Sequence, residues 1–191
     1  MATNVVNLVQ GPATLYIAPF QTTEPADSNV STGPTATAWV DLGGTTDGAE
    51  LSINQEYKEL EVDQVVDIPG RRLTKRDMSV KTNLAEPTLE NLAFALNDGT
   101  ITTGATSDVY EPAFTDSATQ PTYRALYLHG WAAGDGGSGQ SKRRAVILRK
   151  CLSSDNVEFA YKKEDQTVFS VTWSVHYVTS SIAPFKIVDE V

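Results

Sequence analysis

The sequence predicts a mainly β, antiparallel fold carrying a single α-helix and one long extended arm. Three observations lead there. TVFSVTWSVHYV (residues 167–178) alternates strictly: Phe169, Val171, Trp173, Val175 and Tyr177 fall on one face, and Ser170, Thr172, Ser174 and His176 on the other. Period 2 with one apolar and one polar face is the pattern of a half-buried antiparallel strand. Strand-forming runs recur along the whole chain, whereas apolar spacing of helical period occurs in one segment alone.

The elements follow in order. TLYIAPF (14–20) and TAWVDLG (37–43) read as strands, and GAELSIN (48–54) and MSVKTNL (78–84) alternate more weakly. Between the last two, residues 54–76 are too long and too charged for a tight hairpin, and Pro69-Gly70 supplies a turn, so this stretch reads as an extended β-arm. The helix is predicted over residues 87–96, with Leu89, Leu92, Ala93 and Leu96 on its apolar face. Pro87 suits the first helical position, Glu86 and Glu90 suit the positive end of the helix dipole, and Asn97-Asp98-Gly99 supplies the stop. Residues 123–131 (YRALYLHGW) and 144–152 (RAVILRKCL) are strands with apolar residues on both faces. Residues 22–36 and 97–121, rich in Gly, Ser, Thr and Pro, read as surface excursions.

GDGGSGQSKRR (134–144) places Gly134 and Gly139 at phosphate-loop spacing. A phosphate loop needs Lys and then Ser or Thr after the second glycine, and a helix after that. Here Gln140 and Ser141 occupy those positions and a β-rich run follows, so the segment reads as a hairpin connection.

Composition narrows the function. The chain has 191 residues, 40% hydrophobic and 20% charged, which suits one domain with a real core. It contains no apolar run of about 18 residues that would span a membrane. Its start, MATNVVNLVQ, lacks a basic stretch leading into an apolar one, which predicts folding in the cytoplasm of the cell that makes it. A net charge of −9 argues against general nucleic-acid affinity, which Lys and Arg contacts to phosphate drive.

No catalytic constellation emerges. Cys151 is the only cysteine and lies in an apolar strand, so a packed thiol is the simplest reading. His129 shares a face with Tyr127 and Trp131 and reads as part of an aromatic cluster, while His176 continues a wet polar face. With two histidines and one cysteine, no metal or cofactor site is expected, and catalytic residues are none. Glu59, Glu61, Asp63 and Asp67 lie near Arg71, Arg72, Lys75 and Arg76, a charge pattern that points to complementarity within the arm or between subunits.

Residues 37–97 resemble the major tail tube proteins of long-tailed, non-contractile bacteriophages. The resemblance rests on Gly43-Gly44-Thr45-Thr46-Asp47-Gly48, the Val62-Asp63-Gln64 step, and a β-segment closing in Leu84-Ala85-Glu86. That segment runs directly into Thr88-Leu89-Glu90-Asn91-Leu92-Ala93. The resemblance covers about a third of the chain.

The resemblance implies an antiparallel β-sandwich or barrel of the phage tail tube type, a single domain over residues 1–191 with one flanking helix. It further implies stacked hexameric rings whose inner strands form a continuous barrel. Expected partners are other copies of the chain, a tape measure protein, and tail terminator and distal tail proteins. DNA would pass without specific binding, no membrane would be bound, and the location would be the virion tail, assembled in the bacterial host cytoplasm. The arm charges Glu59, Glu61, Asp63, Asp67, Arg71, Arg72, Lys75 and Arg76 are then subunit-interface candidates. Glu50, Ser52, Asn54, Ser79, Asn83, Ser170, Thr172 and Ser174 are candidates to line the lumen, which should be neutral and acidic so as not to trap the genome. Another virion β protein (a head decoration or tail-completion subunit), a lectin-like module and a hydrolase are the competing classes, and self-assembly separates them.

Overall fold

The computed structural model describes residues 7–113, 120–134, 142–158, 161 and 163–191. Its strands are β1 (Thr14–Pro19), β2 (Val40–Asp41), β3 (Thr45–Leu60), β4 (Gly70–Leu84), β5 (Thr100–Thr103), β6 (Asp108–Glu111), β7 (Arg124–Trp131), β8 (Arg143–Ser153), β9 (Phe169–Val175) and β10 (Phe185–Asp189). The helix α1 spans Leu89–Ala95. The main sheet runs β2-β1-β7-β8-β9-β4-β3, every pairing antiparallel, with β10 on β8 beside β9.

Two strands at opposite ends of that order, β2 and β3, are joined in the chain by residues 42–44 alone. So short a link forces the sheet to curl until its ends approach. The curl brings both halves onto one core: Leu15, Ile17, Leu126, Leu128 and Leu148 from one side meet Val80, Leu84, Phe169, Val171 and Trp173 from the other. The result is an antiparallel β-sandwich-like barrel, the fold class expected from the strand patterns.

A second cluster accounts for the two apolar faces of β7 and β8. Ala125, Tyr127, Ala145 and Ile147 pack under Val30 and Trp39, so residues 22–39 form a lid on the sheet. The lid is firmly attached. His129 Nε2 lies 2.8 Å from the Val30 carbonyl, and Glu24 and Asp27 pair with Arg149 and Lys186, while Trp39 Nε1 donates to the Thr23 carbonyl at 3.2 Å within the lid itself. The other long excursion also carries structure: β5 and β6 pair as a separate two-stranded hairpin within residues 97–121.

The helix differs in detail from its sequence reading. Thr88 is its N-cap, its hydroxyl accepting from the Asn91 N–H at 3.1 Å, so Pro87 stands one residue outside the helix. Asn91 and Ala95 are its buried residues, Leu89 and Leu92 are half-buried, and Leu96 is exposed. Leu92 packs against the main core beside Asn91 and Ala95, so the leucine face is the core face only in part. Asn91 is buried next to it because its amide donates to the carbonyls of Leu42 (3.0 Å) and Glu86 (2.8 Å).

The same corner holds one strained turn. Gly43 has φ +78°, and a Cβ there would lie 2.4 Å from Glu86 Oε1, which instead accepts from the Gly44 N–H at 2.8 Å.

Candidate assembly surfaces

The arm is the outer part of the β3–β4 hairpin. From Ser52 to Asp67 and from Arg71 to Asp77 every residue is exposed, although the ladder continues to Leu60↔Gly70. A register shift at Glu56/Tyr57, where Lys75 and Leu73 flank an extra residue, lets the long hairpin twist.

Its charges divide into two groups. Glu59 accepts from Arg71 at 2.7 Å, and Lys75 lies 3.2 Å from Asp77 and 3.7 Å from Glu56. The hydrogen bond to Asp77, with the charges of Asp77 and Glu56, raises the Lys75 ammonium above its ordinary pKa. Arg72 stands across from Lys58 and Arg76 across from Gln55. Arg72, Arg76, Glu61, Asp63 and Asp67 form no ion pair among the described residues. The tip segment 60–69 carries three carboxylates and no cation.

The charge pattern also conceals an apolar feature. Leu60, Val62, Val65, Val66 and Ile68 are all strongly exposed at the tip, Val66 completely so. Their signal in the sequence was five aliphatic residues in nine positions next to Pro69-Gly70, without a period that would bury them in their own hairpin.

The lumen candidates fall on one surface. Directly opposite residues of a ladder share a face. Ser52 pairs with Ser79 and Ser79 with Ser174; Asn83 pairs with Ser170; Glu50 pairs with Lys81 and Lys81 with Thr172. Asn54, across from Asp77, extends the row toward the arm. All eight candidates thus occupy the face of β3-β4-β9 turned away from the Val80, Leu84, Val171 and Trp173 core. Ser174 bonds Ser154 (2.6 Å) and Thr172 donates to Asp155 (3.1 Å), which adds a carboxylate to the surface. Lys81, exposed at its centre, is a cation that the neutral-and-acidic expectation omitted.

A family model described as phage tail tube protein matches residues 1–186. The chain belongs to that family. Comparison with curated proteins finds no match. As a phage tail tube protein it is a structural component of the virion tail. None of its described helices is long and apolar enough to cross a membrane.

The residues weighed for chemistry take other places in this tail tube protein. Cys151 is fully buried in the main core, and burial pushes its thiol up to about 12, away from any nucleophilic range. His129 is enclosed beside Tyr127, the two rings 6.1 Å apart. His176 departs from its expected wet face: it is half-buried edge-on against Tyr123 at 5.4 Å, its Nε2 enclosed without a hydrogen-bond partner among the described residues. Desolvation, then the Lys150 charge, lowers its pKa. Most of the Gly134–Arg144 loop (135–141) lies outside the described residues. Its flanks pair antiparallel as β7 and β8, with Ala132 N–H bonded to the Lys142 carbonyl at 3.0 Å, and a strand follows where a phosphate loop requires a helix.

Proposed function

We propose that this tail tube protein is one domain that polymerises as stacked hexameric rings, forming the channel through which the genome leaves the capsid. The observation that carries the reading is the β3–β4 arm, a hairpin that leaves the body with both faces in water and an exposed aliphatic tip. An isolated two-stranded hairpin is marginally stable in water, and such an edge is covered in most proteins. A neighbouring subunit supplies the missing cover, with Glu59, Glu61, Asp63, Asp67, Arg71, Arg72, Lys75 and Arg76 at or near the contact.

The polar face of β3-β4-β9 then lines the bore. Lys81 apart, its hydroxyls, amides and carboxylates give passing DNA few counterion-releasing contacts. A tape measure protein occupies the bore during assembly in the host cytoplasm, and terminator and distal tail proteins close the two ends. Negative-stain microscopy of the purified protein tests the reading: rings or tubes are expected. Deleting residues 61–75 should leave a folded monomer and abolish polymerisation. Normal tubes from that deletion would remove the arm from the interface.

A further inference from the structure

We propose that the aliphatic tip of the arm seats in a groove on a second copy of this chain, between the lid and β8. The inference rests on the tube reading above and names the acceptor surface that reading leaves open.

The groove encloses about 390 Å³. That lies in the range of pockets, about 300–1,000 Å³, that bury whole ligands, so it has room for more than one aliphatic side chain. Phe20 and Trp39 from the lid side, Ile147 from β8, and Val178 and Ile182 from the segment before β10 form its apolar walls. Ile182 is 44% exposed at the mouth. No residue of the arm lines the groove of its own chain.

Charge selects the tip as occupant. Lys150 stands at the groove with its ammonium 4.3 Å from the Tyr123 ring centroid and 5.5 Å from that of Phe20, and has no carboxylate partner among the described residues. Arg149 beside it is already paired with Glu24. A positive charge held over aromatic rings without a carboxylate partner among the described residues matches a tip on which Glu61, Asp63 and Asp67 interleave with Val62, Val65 and Val66. Tip and groove are different surfaces of one chain, so the contact is heterologous, and repeating it builds a ring or a filament.

Cross-linking tests the contact. Val66→Cys and Ile182→Cys each add one exposed thiol, while the native Cys151 is fully buried. Mixed and treated with a short bis-maleimide, the two variants should give a cross-linked dimer that each variant alone gives only weakly. Added salt should reduce its yield, as expected for a contact steered by Lys150 and the tip carboxylates. Val66→Asp and Ile182→Asp should each lose polymerisation while keeping the wild-type thermal midpoint. Equal dimer from Val66→Cys alone would mean that tips meet tips, and would overturn the proposal. If wild type forms tubes yet the mixture gives no dimer and Ile182→Asp still polymerises, the groove is not the seat, although the tube reading stands. If wild type forms neither tubes nor rings, the tube reading fails on its own evidence, whatever the cross-linking gives.

Discussion

Arg149 on β8 forms a two-pronged ion pair with Glu24, 125 residues earlier, its Nη2 reaching Glu24 Oε2 at 3.2 Å. The pair closes the lid over the second apolar cluster, and both side chains are largely shielded. Replacing Glu24 by Ala removes a planar charge-assisted bond and leaves a partly buried guanidinium. A loss of about 1–2 kcal/mol in urea denaturation is expected, smaller than for a fully buried pair because water still reaches both groups. Near-native stability would show that the lid holds without this pair, by its apolar packing and its ties through Asp27 and Val30.

Asn91 should outweigh its leucine neighbour. Asn91→Ala strands the buried Leu42 carbonyl and removes one of two bonds to the Glu86 carbonyl, which keeps the Thr88 N–H at 2.8 Å, and should cost about 2–3 kcal/mol. Leu92→Ala trims a half-buried side chain and should cost about 1–2 kcal/mol, below the 2–5 of a fully buried leucine. Chemical denaturation of the two variants side by side checks the ranking.

His176 should make stability fall in mild acid. Desolvation and Lys150 lower its folded pKa below the ordinary 6.5, so in that interval the unfolded chain binds more protons. Its contribution is fully present above pH 6.5 and is lost as pH falls through the folded pKa. His176→Phe keeps an aromatic edge against Tyr123 and removes the titration. The difference in thermal midpoint between pH 7.5 and pH 5 should therefore shrink in the variant.

Ser52 and Thr172 lie on the same polar face, two ladder steps apart across β4. Changing both to Arg should permit assembly and slow DNA ejection, most at low salt, because each new cation gains affinity by counterion release. Ejection rates unchanged across salt would place this face on the outer wall.

Much of this architecture could be read from alternation, but only where one face is wet. β9 showed its period because Ser170, Thr172 and Ser174 face water while Phe169, Val171 and Trp173 do not. β8 hid its period for two reasons. The lid buries its second face, and a register shift against β7 puts Leu148 and Cys151, three residues apart, into the same core. The short strands β5 and β6 carry too few apolar residues to show any period.

The candidate surfaces were legible residue by residue and not as surfaces. Alternation picked eight polar positions on three strands. That they form one face depends on β3, β4 and β9 being neighbours in a particular register, a long-range fact that no local pattern carries. On α1 the core contact of Leu92 was legible from the helical period, but the burial of Asn91 was not, since it depends on the Leu42 carbonyl far away in the chain.

The Gly43–Glu86 corner joins two of the motifs on which the family resemblance rests, Gly43-Gly44 and Leu84-Ala85-Glu86. They are not independent signs but two halves of one contact. The sites should show strong epistasis, with the order of mutation deciding the outcome. A side chain at residue 43 first meets both the carboxylate and a left-handed backbone. Once residue 86 has been shortened to Ala, only the backbone strain remains, while the Gly44 N–H has already lost its acceptor. A lineage can cross this corner in one direction and is blocked in the other.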